Sequence, residues 1–145
     1  MTIVDSLLAS PGLYVGVDRV VGTDLVGAAR MVVTVLPGRA GVALDYEVFN
    51  PASAGPVRGH AEHTVIARAH GGGIIMVIAD THAGAVVVLR ETDPGMFEPG
   101  PEGGPYPMKV VVSMPEPGHL HHHWWYGRPG EEATARDLAE LTLSD

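Results

Sequence analysis

Hydrophobic and polar positions alternate along most of this chain, in short runs that glycine and proline separate. Successive side chains of a β-strand point to opposite faces, so this period of two predicts strands. Nineteen Gly and twelve Pro provide turn residues between the runs. We predict strands over 13–21, 27–36, 42–50, 58–70, 74–82, 85–92, 108–114 and 118–126.

Three segments depart from this pattern. The N-terminal sequence MTIVDSLLASPG predicts one short amphipathic helix. The C-terminal sequence EEATARDLAELTLS fits a helix and a strand almost equally, because Leu138 and Leu141 are three apart while Ala139, Leu141 and Leu143 share one strand face. We favour a closing strand, since the last edge of a barrel needs a partner. Residues 93–107, with five prolines, predict a long loop.

The order of these elements indicates an all-β fold. Sequential strands joined by short turns leave no room for the helical crossovers that parallel pairing requires. We therefore predict a single domain, 1–145, that forms an up-and-down antiparallel β-barrel of about 8–10 strands with a short N-terminal helix. A barrel of about this size has an interior just large enough for one small ligand.

The same alternation predicts which side chains face the interior. In 42–50 the apolar face, which we expect to point inward, carries Tyr46. In 118–126 the more apolar face carries His122, Trp124 and Tyr126. In 58–70 the more apolar face carries His63, so we expect His63 inside. Four methionines, Met31, Met76, Met108 and Met114, complete the predicted interior.

Two interpretations of this interior remain open, a filled core and a ligand pocket. Pockets for small molecules are mostly apolar with a few polar groups. The pocket interpretation predicts a small, mostly apolar ligand, bound by Tyr46, His63, Met76, Met108, His122, Trp124 and Tyr126.

Composition and charge narrow the range of partners. The 145 residues carry a net charge of −8, with 17 acidic and 9 basic residues. This balance argues against nucleic acid and against an anionic membrane surface. The absence of cysteine excludes disulfides and thiolate metal sites. The N-terminus lacks the basic region of a signal peptide, so we expect a cytoplasmic protein.

The stretch GHLHHHWWYG, 118–127, is the most unusual in the chain. His119, His121 and His123 share one strand face with Trp125. That face could hold a metal ion through two imidazoles, or it could pair two barrels as a homodimer.

Catalytic motifs are sparse. The chain has neither a G-x-S-x-G nucleophile motif nor a phosphate-binding loop. Asp80, His82 and Glu91 could share a face near the barrel mouth as an acid–base group. The stretch GHAEHT, 59–64, is similar to a cupin metal motif, but Glu62 stands where the second histidine is needed. A cupin is a minor alternative, and the sequence names no reaction.

Three stretches in this order, PGLYVGVDRVVG, GPVRGHAEHTVIAR and THAGAVVVLRE, resemble calycin-like barrels, the fatty-acid-binding, lipocalin and nitrobindin-like proteins. The resemblance is greatest to the nitrobindin-like branch, and it implies about ten strands around one internal ligand. In that branch the ligand is haem, held by a histidine close to the C-terminus. Here the last histidine is His123, and Tyr14 stands near the usual tryptophan of the first strand. A haem protein with redox or isomerase activity would therefore need His63 or His122 as axial ligand.

Overall fold

The structure is a computed structural model that describes residues 1–49, 58–81, 84–101 and 103–145. The chain begins with helix α1 (Ile3–Ala9). Thr2 caps it, because its hydroxyl accepts from the Asp5 N–H at 3.1 Å while the Asp5 carboxylate accepts from the Thr2 N–H at 3.0 Å. The predicted N-terminal helix is thus confirmed. No helix in the described part of the chain has the length and apolar character needed to cross a membrane.

Strands dominate the rest of the described residues. They are β1 (Gly12–Val20), β2 (Val26–Val35), β3 (Gly41–Phe49), β4 (Arg58–Arg68), β5 (Ile74–Asp80), β6 (Val87–Asp93), β7 (Met96–Pro99), β8 (Met108–Glu116), β9 (His119–Tyr126) and β10 (Thr134–Leu143), with a 3-10 helix at Pro37–Arg39. The eight predicted strands are confirmed to within about two residues at each described end. Asn50 and His82, the predicted last residues of two strands, lie outside the described residues.

The ten strands form a closed barrel. Each pairs antiparallel with its neighbours in sequence, and β1 also pairs with β10. At this seam a Cβ on Gly16 would lie 2.0 Å from the carbonyl oxygen of Glu140, so the close approach requires glycine. The all-β up-and-down prediction is confirmed, and this strand order differs from the two Greek keys of a jelly roll such as a cupin.

The preferred interpretation of the C-terminal segment is also confirmed. Its helix-forming residues lie in β10, which pairs with both β1 and β9. Ala139 and Leu141 point into the core with at most 2 % of their surface exposed. Burial on a barrel face and pairing of both edges outweigh local helix propensity here.

The predicted loop over 93–107 is wrong in part, because it contains β7. Gly95 has a φ of 73° and provides the turn between β6 and β7. Its carbonyl accepts a 2.8 Å hydrogen bond from the Val112 N–H of β8. Phe97 of β7 is fully buried. Because proline is abundant in this segment, the sequence pattern did not indicate a strand of only four residues with one buried side chain.

The predicted inward face of β4 is also wrong. Glu62, Thr64 and Ile66 point inward with at most 5 % exposure, whereas the His63 side chain is 55 % exposed on the outside. There the Nδ1 of His63 lies 2.6 Å from a carboxylate oxygen of Asp45. The polar face is inside because its buried groups have hydrogen-bond partners, which removes most of the cost of burial.

Candidate functional site

The two ends of the barrel differ. Helix α1 contacts β3, β4 and β8 at one end, and Leu7 is fully buried there within the hydrophobic core. Towards the opposite end the interior opens into a cavity of about 800 Å³. Its apolar lining includes Val20, Val48, Ile78 and Met108. The barrel is therefore filled over part of its length and hollow over the rest.

The cavity brings together four of the seven predicted site residues, Tyr46, Met108, Trp124 and Tyr126. Met76 and His122 do face the interior, as predicted, but both are fully buried in the core and neither lines the cavity. His63 lies outside the barrel, for the reason given above. Whether the four lining residues bind a ligand stays a prediction.

Aromatic rings form the inner wall of the cavity. The ring centroids of Tyr46 and Trp124 are 5.1 Å apart. Both rings pack on His122, which stacks on Trp124 at 4.0 Å and lies nearly parallel to Tyr46 at 6.4 Å. At the mouth, Tyr106 and Tyr126 form an edge-to-face pair at 6.2 Å. These ring–ring contacts hold the aromatic side chains in place along the cavity wall.

His122 is a fully buried imidazole. Neither ring nitrogen has a hydrogen-bond partner within the described residues. Burial lowers the pKa of His122 from 6.5 to about 4, against the opposing charge of Glu62. The ring is therefore neutral at physiological pH and supports Trp124 and Tyr46 from the core side.

Glu62 is a buried carboxylate of the cavity wall, with 5 % of the residue exposed. One of its oxygens accepts from the Thr64 hydroxyl at 2.7 Å and the other from Trp124 Nε1 at 3.0 Å. His60 Nε2 lies 3.6 Å from the second oxygen. Burial lowers the pKa of His60, but the hydrogen bond and charge of Glu62 outweigh that effect, so the pKa is raised overall. The charge of Glu62 thus favours an imidazolium beside it.

A second acidic group lies on the seam between β1 and β10. Asp18 opposes Ala139 and Asp137 opposes Val20, so the two carboxyls are diagonal neighbours on the inward face. The Tyr46 hydroxyl donates to Asp18 at 2.7 Å. Burial raises the pKa of Asp18 to about 6; Tyr46 opposes the rise, while the charge and side-chain hydrogen bond of Asp137 add to it.

Sequence reasoning missed Asp18, His60, Glu62 and Asp137, all of which line the cavity. For two of them the alternation contained the signal. Asp18 shares a strand face with the buried Tyr14, and Asp137 shares one with Ala139 and Leu141. Polar residues at inward positions of a barrel strand indicate an internal cavity with polar groups on its wall.

Of the predicted acid–base group at the mouth, Glu91 does not lie beside Asp80. Asp80 ends β5 at the open end and lines the cavity. Glu91 lies near the far end of β6, because its neighbour Arg90 pairs with Ile75 at the start of β5. There a Glu91 oxygen accepts from the Gly95 N–H at 3.0 Å. His82 lies outside the described residues.

The residues present do not fit a haem held through either histidine named above. His63 is on the outer surface, and His122 is enclosed behind the two aromatic rings. His60 does line the cavity, but its nitrogens are directed to Glu62 at 3.6 Å and to the Thr81 hydroxyl at 3.2 Å. Among the described residues, no three histidine or carboxylate side chains are arranged to hold a metal ion.

The outward face of β9 is covered in part by its own neighbours. Lys109 Nζ lies 4.2 Å from the ring centroid of Trp125, and His123 packs against the same ring at 5.1 Å. His119 Nε2 is 3.8 Å from a carboxylate oxygen of Glu116. A homodimer through this face stays a prediction.

Comparisons with known proteins add no relative to this picture. No family model, no curated protein and no solved structure matches the chain. The site must therefore be interpreted from its own geometry.

Proposed function

We propose that this barrel binds one small, mostly apolar molecule in the cavity at its open end. The observation that carries the proposal is the cavity of about 800 Å³ at the open end, whose wall is mostly aliphatic and aromatic. Binding pockets for small molecules usually measure roughly 300–1,000 Å³ and combine such walls with a few polar groups. A barrel whose only task was structural would gain stability by filling this space.

The arrangement of the barrel supports the same proposal. Helix α1 and the core hold one end rigid, and the aromatic wall is fixed by hydrogen bonds from Tyr46 and Trp124 to carboxylates. Rings held in this way bind with little loss of conformational entropy. The proposal also agrees with the resemblance to calycin-like barrels, whose members enclose one ligand.

Binding of a neutral, polarity-sensitive dye tests the proposal. N-phenyl-1-naphthylamine should bind saturably with one site per chain and gain fluorescence. Val48→Trp should weaken this binding by roughly tenfold or more, because the larger side chain enters the cavity from β3. The matched control is Val88→Trp, at an exposed position on the outer face of β6.

Unchanged dye affinity in Val48→Trp would show that the dye binds elsewhere, and absence of saturable binding to the wild-type protein would refute the proposal. Native mass spectrometry of protein purified from its own host should reveal the natural ligand as an added mass. The same added mass should be missing from Val48→Trp and present on Val88→Trp.

A further inference from the structure

Three hydrogen-bond donors on the cavity wall are directed at carboxylates. The Tyr46 hydroxyl donates to Asp18 at 2.7 Å, and Trp124 Nε1 donates to Glu62 at 3.0 Å. The Tyr126 hydroxyl donates to Asp137 at 3.3 Å. An ionised carboxylate has about four lone-pair positions, so these groups still have acceptor capacity after one or two bonds. The polar group that best complements this wall is a donor.

The charge of the cavity favours the same kind of group. Asp18 and Asp137 are inward neighbours across the seam, and the charge of Asp137 disfavours ionisation of Asp18. His60 Nε2 lies 3.6 Å from a Glu62 oxygen, and the charge of His60 also lowers the pKa of Asp18, although burial and Asp137 outweigh it. Arg128 lines the mouth, but its side chain is exposed, where solvent screens its charge.

The walls around the carboxyl pair are aromatic. Tyr46 and Trp124 lie on the inner side, and Tyr106 and Tyr126 lie at the mouth. The face of an aromatic ring carries negative potential and attracts an organic cation within about 6 Å of the ring centroid. The carboxylates and the aromatic rings therefore both favour a positively charged ligand.

We propose that the ligand is an organic cation, a protonated amine on an apolar body, whose ammonium group lies between Asp18 and Asp137 while the body packs on the aliphatic and aromatic walls. This inference rests on the proposed function, since it names the chemical class of the molecule that the cavity binds. The ammonium group would donate hydrogen bonds to both carboxylates and relieve their mutual repulsion.

Three probes of nearly equal shape and different charge show whether the cavity prefers a cationic, a neutral or an anionic ligand. These are 4-phenylbutylamine, 4-phenylbutan-1-ol and 4-phenylbutanoate, each titrated calorimetrically into the protein at pH 7.5. The amine should bind roughly tenfold or more tighter than the alcohol, and the carboxylate should bind most weakly. Asp18→Asn should remove most of the amine's advantage and leave the affinity for the alcohol within about twofold. The matched control is Asp93→Asn, at an exposed position where β6 ends.

The preference for the amine should decrease in acid. The ionisable groups that face Asp18 are Tyr46 on β3, His60 on β4 and Asp137 on β10. Between pH 7.5 and 5, Asp18 takes up a proton and His60 becomes more cationic, and both changes disfavour a cation. The affinity for the amine should therefore fall by roughly tenfold, while the affinity for the alcohol stays nearly constant.

The possible results distinguish failure of the charge assignment from failure of the proposed binding function. Equal affinities for amine and alcohol, or an unchanged preference in Asp18→Asn, would overturn the charge assignment and leave the apolar binding function in place. Tightest binding of the carboxylate would also overturn it and would indicate that Arg128 selects an anion. If none of the three probes binds, and the neutral dye does not bind either, the proposed function itself fails.

Discussion

Replacement of His122 by phenylalanine tests the burial of this imidazole. His122 is fully buried, and its ring nitrogens have no partners among the described residues. Phenylalanine keeps a flat ring against Trp124 and removes both unpartnered nitrogens. We expect His122→Phe to be at least as stable as the wild-type protein at pH 8, because a buried unsatisfied polar group costs about 1–3 kcal/mol.

The pH dependence of the free energy of unfolding allows the size of the effect of His122→Phe to be predicted more closely. Burial lowers the pKa of His122 from 6.5 to about 4, so the unfolded chain binds this proton more readily than the folded one. The contribution of the neutral ring to stability is complete above pH 6.5 and is lost as the pH falls towards 4. At pH 5 the loss is about 2 kcal/mol. The free energy of unfolding of His122→Phe relative to wild type should therefore rise by about 2 kcal/mol between pH 8 and pH 5.

Urea unfolding at pH 8, 7, 6 and 5 measures this difference. Asp18, whose pKa is raised to about 6, has the opposite effect, because the folded state binds its proton more readily and gains stability as the pH falls through 6. That effect is present in both proteins and cancels in the difference. Phe97→Leu is the control, since it alters the core without removing a titratable group. A difference between His122→Phe and wild type that stays constant from pH 8 to pH 5 would refute the reasoning.

Two further substitutions test the barrel seam and the cavity wall by urea unfolding. Gly16→Ala should lower the free energy of unfolding by about 2 kcal/mol or more, because the new Cβ would lie 2.0 Å from the Glu140 carbonyl oxygen. Gly71→Ala, where no described atom lies within 4 Å, should change it by less than about 0.5 kcal/mol, and equal losses at the two sites would contradict this account of the seam. Trp124→Phe should cost about 2 kcal/mol, because it removes the donor to a buried oxygen of Glu62, and a loss below about 0.5 kcal/mol would show that the bond contributes little.

The fold could be predicted because its dominant signal is local. Alternation of apolar residues in segments such as 42–50 and 108–114 depends only on the two faces of a strand. Alternation could not show which of the two faces of β4 points inward. Glu62 and Thr64 are stable inside because they hydrogen-bond to each other and Glu62 also accepts from Trp124 on β9. Such partners are distant in sequence and appear only when the barrel closes.

The site was predictable in part for the same reason. Tyr46 and Trp124 follow from the apolar faces of their strands, and both line the cavity. Alternation assigns a face but not a depth, so it could not separate His122, in the filled part of the barrel, from Trp124 at the cavity two residues later. Asp18 was not among the predicted site residues, although it shares a strand face with the buried Tyr14.

Contacts between a bound ligand and the barrel's methyl groups test the central claim most directly. In methyl-labelled protein saturated with N-phenyl-1-naphthylamine, nuclear Overhauser effects should connect the dye to the methyl groups of Val48, Ile78 and Met108, which line the cavity. The exposed Val88 on the outer face of β6 should show none. Overhauser effects confined to outward methyl groups such as those of Val88, or no saturable binding at all, would contradict the account.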